Sequence, residues 1–147
     1  MAAAAPRRIE IVPWGFPKAS VLGPGYARNQ NSGRLGGGWG GGSGTFGNNG
    51  DYMEWDVLLD AGTWAVDAIY PKNSGQAIAE VLIGGVSVGT VDTYAASGSN
   101  NNVTTWTGFT VADPGYYTVR WAANGKNASS TAYGLTLQLL ALRRTGA

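Results

Sequence analysis

Beyond residue 50, apolar and polar positions alternate along most of the chain, and a period of two predicts strands. Asp51 to Leu59 sets Met53, Trp55, Val57 and Leu59 on one face against Glu54 and Asp56 on the other. After a turn at Asp60-Ala61-Gly62, Thr63 to Tyr70 alternates again through Trp64, Val66, Ala68 and Tyr70. Pro71-Lys72-Asn73-Ser74-Gly75 has turn chemistry. Ala77 to Ile83 and Val86 to Tyr94 follow as two strands hinged on Gly84-Gly85, a two-residue hairpin signal. A polar loop from Ser97 to Asn102 precedes a strand from Val103 to Val111, and Asp113-Pro114-Gly115 turns the chain into Tyr116 to Ala123. A last strand, after Asn124-Gly125-Lys126-Asn127, runs to about Leu142. Short strands spaced by roughly ten residues, with no helical period among them, predict an all-β antiparallel sandwich of jelly-roll type.

The last strand departs from simple alternation. Leu135, Leu137, Leu139 and Ala141 mark one face, while Leu140 and Leu142 place apolar groups on the other. Apolar residues on both faces need cover on both. Two covers are open: a subunit interface made by Leu140 and Leu142, or a strand end tucked beneath the N-terminal segment.

Residues 1–47 read as an extended Gly/Pro-rich arm containing one short strand, RRIEIV at residues 7–12, with the jelly-roll domain at 48–147. The arm holds Pro13, Pro17 and Pro24 and the tract Gly36 to Gly42, with Trp39 inside it. A flexible linker would be glycine and serine without large apolar groups. This arm carries Trp14, Phe16, Tyr26, Trp39 and Phe46, which are expected to anchor it on partner subunits.

Composition narrows the chemistry. The chain has 147 residues, one domain's worth, with 24 glycines, a formal charge of +1 and only 13% charged residues. That charge gives no electrostatic footprint for nucleic acid. The start of the chain has no apolar h-region of a signal peptide, and no run is long enough to span a membrane. Synthesis in a host cytoplasm without membrane insertion is the expectation. With no cysteine and no histidine, disulfides, thiolate zinc sites and most nucleophile–base pairs are excluded. The acids lie singly along strands and turns; Glu54 and Asp56, the nearest pair, occupy an ordinary solvated strand face, so no catalytic residue is assigned. No EF-hand pattern is present, Asp51 after Asn48-Asn49-Gly50 suits an Asx turn better than a calcium ligand, and no metal or other cofactor is assigned. The Gly36–Gly44 tract lacks the G-K-[ST] ending of a phosphate loop. Sugar binding remains open, since aromatic rings with amide side chains suit pyranoses. Tyr94, Asn100, Asn102 and Trp106 are the candidate glycan contacts, although core or interface packing is the competing role for the two rings.

Several runs carry a resemblance. Gly50-Asp51-Tyr52-Met53-Glu54-Trp55-Asp56-Val57, Ala61-Gly62-Thr63-Trp64, Gly84-Gly85-Val86-Ser87-Val88-Gly89-Thr90 and Gly115-Tyr116-Tyr117-Thr118-Val119-Arg120 resemble the galactose-binding-like jelly roll and are similar in order to carbohydrate-binding modules of families six and thirty-five. Asp92-Thr93-Tyr94-Ala95-Ala96, Lys126-Asn127-Ala128-Ser129-Ser130 and Ala141-Leu142-Arg143-Arg144-Thr145-Gly146 resemble a domain of tailed-bacteriophage virion proteins of the minor tail, fibre-tip and capsid decoration type. That resemblance implies a non-enzymatic virion structural protein. It would be a homotrimer, joined by its arm to other tail or capsid proteins and able to touch host glycans. A stand-alone carbohydrate-binding module is the alternative. Family-six modules often hold calcium with acids on the first and last strands; Tyr133 to Leu142 has no acid here.

Overall fold

The computed structural model describes residues 7–11, 26–29, 38–41 and 48–147; for 26–29 and 38–41 it describes the backbone alone. The elements are β1 (Arg8–Ile11), β2 (Tyr26–Asn29), β3 (Gly38–Gly41), β4 (Tyr52–Leu59), β5 (Gly62–Lys72), β6 (Ile78–Ile83), β7 (Val86–Asp92), β8 (Ser99–Val111), β9 (Gly115–Ala123), β10 (Thr136–Leu137) and β11 (Leu139–Gly146). There is no helix among the described residues. Two four-stranded antiparallel sheets, β1-β11-β5-β8 and β4-β9-β6-β7, share one apolar core, and a three-stranded piece, β10-β3-β2, adjoins them.

The alternation does what the physics of a pleated strand requires. Met53, Trp55, Val57 and Leu59 of β4 and Trp64, Val66, Ala68 and Tyr70 of β5 are all buried. They meet Ala79, Val81 and Ile83 of β6 and Val119 and Trp121 of β9, while the polar positions between them face outward. The β6–β7 hairpin turns on Gly84 and Gly85, with φ of 58° and 79°. Positive φ at both central residues is what a type I′ turn demands, and glycine meets it without steric penalty.

Three expectations are corrected. The polar loop at Ser97–Asn102 is largely strand, because β8 begins at Ser99 and Asn102 pairs with Tyr70. The closing strand changes phase at Gln138, so Leu135 and Leu137 before it and Leu140 and Leu142 after it all end in the core. Leu140 and Leu142 therefore offer no surface to a subunit interface. β1 provides their flank within the same chain, with Ile9 opposite Leu142 and Ile11 opposite Leu140. Third, the described parts of residues 1–47 are built into the chain's own sheets. β1 is the fourth strand of the first sheet, and β3 pairs with β10, placing Trp39 opposite Leu137. Tyr26 lies on β2, opposite Gly41 of β3. Trp14, Phe16 and Phe46 lie outside the described residues.

Candidate functional site

The register of β4 on β9 decides which side chains reach solvent on the second sheet. Glu54 sits opposite Arg120, Asp56 opposite Thr118 and Leu58 opposite Tyr116, all on the outer face. Arg120 donates from both Nε and Nη2 to Glu54 Oε2, at 3.1 and 2.8 Å. The Tyr52 ring lies 3.7 Å from the guanidinium carbon. A planar cation held by a carboxylate and an aromatic face keeps one orientation. Arg120 Nη1 and Glu54 Oε1 have no partner among the described residues, so the pair keeps one donor group and one acceptor in reserve.

Next to this pair is a hollow of about 480 Å³, lined by Glu54, Leu82, Gly84, Gly85, Tyr116, Tyr117, Thr118 and Arg120. The hairpin turn lines it with glycine backbone alone, and a methyl on Gly84 would press on the Tyr117 ring. Tyr116 is 78% exposed and Leu58, its cross-strand neighbour, 42%. A large ring left in water at the edge of a hollow, beside fixed polar groups, is an arrangement suited to a ligand with an apolar face and hydroxyl edges.

Glu54 and Asp56 share this face but do not confront each other across a gap. Glu54 is held by Arg120, and Asp56 accepts from the Thr118 hydroxyl at 3.3 Å. Nothing in that geometry resembles two carboxyl groups flanking a scissile bond.

The four residues expected to contact glycan are not gathered into one site. Asn102 donates to the Tyr70 carbonyl at 3.1 Å and to Ser99, which fixes the start of β8. Trp106 lies on the same side of β8, roughly 13 Å further along at the strand's rise per residue. Its indole packs on the core over Gly89, so it serves as packing rather than as an open platform. Asn100 is exposed. Tyr94 belongs to a knot of loops at one end of the sandwich, where it bridges to Asn73 and its amide donates to Asp92 at 2.9 Å. The amides there hold the loops together: Asn127 donates to Asp92 at 2.7 Å and Asn124 to Glu80 at 3.0 Å. Leu82 is no candidate in the sequence, and Tyr116 and Arg120 stand there only within the Gly115–Arg120 run, with no binding role assigned. Alternation puts Tyr116 opposite in sense to Tyr117 and Trp121, and that was the available signal.

Asp51 does not make the expected Asx turn, since its carboxylate accepts from the Asn48 amide three residues earlier, at 2.7 Å, and its own amide donates back to the Asn48 carbonyl at 3.1 Å; the Asn49 side chain accepts from the Gly125 amide at 2.7 Å. No group of three or more acidic, histidine or cysteine side chains gathers among the described residues. Calcium takes six to eight oxygens, so the acids among the described residues do not fit the calcium that family-six modules often hold.

No protein-family model matches the chain, and no curated protein sequence matches it. Solved structures do. A xanthan lyase of Paenibacillus is 27% identical over 80% of this chain, with a TM-score of 0.65; the chain spans 11% of that enzyme. The CBM36-1 domain of a multidomain xylanase from the hindgut metagenome of Trinervitermes trinervoides superposes with a TM-score of 0.61 at 16% identity, over 96% of this chain and 100% of that one. The chain shares the β-sandwich fold of these modules. A CBM36 module solved with calcium and xylotriose gives a TM-score of 0.57 at 16% identity, over 91% and 97% of the two chains. The expected jelly-roll sandwich and its carbohydrate-binding-module pattern are thus observed. The matches that cover the whole of both chains are binding modules, and the lyase match is confined to a small part of an enzyme. These likenesses lend no support to a virion context or a homotrimer.

Proposed function

We propose that the protein is a non-catalytic glycan-binding module, with its binding face on the outside of the β4-β9-β6 sheet. The observation that carries this is Tyr116, an exposed ring at a hollow that the fixed Arg120–Glu54 pair also lines. A pyranose would lay its apolar face on Tyr116 and offer hydroxyls to Arg120 Nη1 and Glu54 Oε1. The modular fold supports the same function, and the likeness to part of a xanthan lyase and to xylanase-borne modules makes plant and bacterial polysaccharides the first ligands to try. A virion role would rest on the short sequence motifs alone and adds nothing to the geometry.

Affinity electrophoresis of the full chain in gels containing xylan, xanthan or mannan tests it. Retardation by at least one polysaccharide is expected, with Tyr116→Ala weakening binding about tenfold, or about 1.4 kcal/mol. Tyr116 is so exposed that its loss should leave the fold intact. Retardation unchanged in Tyr116→Ala but abolished in Tyr94→Ala would move the site to the loop end. No retardation by any polysaccharide would end the glycan reading.

A further inference from the structure

The four outer edges of the two sheets differ in one respect. Three carry charge: Arg8 and Glu10 on β1, Glu54 and Asp56 on β4, and Asp92 on β7. Charges on an edge keep a free row of backbone N–H and C=O groups from pairing with another chain. The fourth edge, β8, is 13 residues long and has no charged residue and no proline. Among the described residues it pairs only with β5.

The usable part of that edge is well defined. Asn102 to Trp106 run in unbroken register against Tyr70 to Val66. At one end Asn101 is clamped by a reciprocal amide pair with Gln138, at 3.0 and 2.7 Å. At the other, Thr107 and Gly108 bulge between the Trp106 and Phe109 pairings, with Gly108 at φ 83°, and the regular edge stops. Within the run the threonine hydroxyls are already engaged. Thr104 bonds the Tyr70 hydroxyl and Thr105 donates to Asp67, each at 2.7 Å. What remains for a partner is backbone and aliphatic surface, including Val103 at 61% exposure.

We propose that this edge self-associates: β8 of a second copy pairs antiparallel with it about a twofold axis near residues 103–105. The two four-stranded sheets then join into one continuous sheet. The partner must bring an extended, uncharged edge of the same length; the other three edges of these two sheets would each bring charge to the contact, and β10 and β2, the edges of the three-stranded piece, are only two and four residues long. β8 itself meets the requirement, and an isologous pairing is the usual form of a dimer. The formal net charge of +1 puts little repulsion between copies. A contact this short falls below the roughly 1,200 Å² of a standard interface, so the dimer is weak and concentration-dependent. It is independent of the glycan proposal, because β8 lies in the other sheet from Tyr116.

Sedimentation velocity of the full chain, from about 1 µM to 1 mM, gives the primary test. The expected result is a monomer that becomes a dimer as concentration rises. Val103→Lys, which sets like charges beside each other across the twofold, should hold the protein monomeric with an unchanged far-UV circular dichroism spectrum. Hydrogen exchange on the unaltered protein gives a second measure, with the alternate amides of residues 102–106 that face away from β5 slowing at high concentration. A monomer at every concentration overturns the proposal, as does a dimer indifferent to Val103→Lys. Outward-facing amides at 102–106 that are equally protected in the dilute monomer would also overturn it, since the edge would then be covered by the chain itself.

Discussion

Gly89 has no room for a single methyl, because a Cβ there would run into the Trp106 indole. The ring closes the β7–β8 side of the sandwich, and only a bare backbone lets it approach. Gly89→Ala should therefore cost about 1–3 kcal/mol as an overpacking change, read as a lower urea midpoint with a shifted tryptophan emission maximum. Another single-residue effect lies on the outer face of the first sheet. The hydrogen bond from Arg143 holds the Asp67 carboxyl below the usual carboxylate range; the Thr105 hydroxyl and the charges of Arg143 and Arg8 act the same way, and burial opposes them. Because the folded pKa is depressed, the stabilisation is present above the pKa of the unfolded chain. It disappears as pH falls through the lower, folded value. Asp67→Asn should thus be less stable than the parent at pH 7, with the gap in urea midpoint closing below about pH 4.

Among the elements, Gln138 has the largest consequence for its size. It is 1% exposed, divides β10 from β11, and bonds Asn101 through both side-chain amide groups. That exchange fixes Asn101 at φ 59° and sets the start of the regular β8 edge. Gln138→Leu keeps the volume but removes both bonds, with an expected loss of about 1–3 kcal/mol. Faster hydrogen exchange at residues 100–102, relative to the core, is the matching local signature. The same residue shows where the sequence stops being legible. β4, β6 and β9, and most of β5, could be read from alternation and turn residues because a period of two holds along them. The phase change at Gln138 has no local cause; it comes from a partner 37 positions away, so Leu140 and Leu142 could not be assigned a side in advance. The first residues of β8 are illegible for a related reason, since Ser99 to Asn102 have the composition of a loop and become strand only by pairing with β5. The site was half legible. Alternation sends Tyr116 and Arg120 outward, but the hollow beside them needs the β4–β9 register and the side-chain-free turn at Gly84-Gly85.

For the whole molecule, the sharpest question is where the body of the domain begins. A boundary at residue 48, as composition suggests, cuts away β1 together with the β2–β3 pair that flanks β10, and the structure gives β1 two jobs. It hydrogen-bonds the edge of β11 from Arg8 to Ile11, and it lays Ile9 and Ile11 over the seam beside Trp55 and Val57. Ile11 is only 7% exposed. Burial of one such side chain is worth about 1.5–3 kcal/mol, and Ile9 adds a part of that. Arg7 also pairs with Asp60 at 2.8 Å, but both are well exposed and the pair contributes little. A protein starting at residue 48 should therefore fold, with the β4-β9-β6-β7 sheet and the Tyr116 face intact, yet unfold at a distinctly lower urea concentration, by about 2–4 kcal/mol. It should keep polysaccharide retardation at temperatures where it remains folded. Because the free edge of β11 is uncovered, its amides from Leu140 to Arg143 should exchange faster than in the full chain. An unchanged urea midpoint in the shortened protein would show that β1 rests on a sheet already complete without it, and would return residues 1–47 to the part of a separable arm.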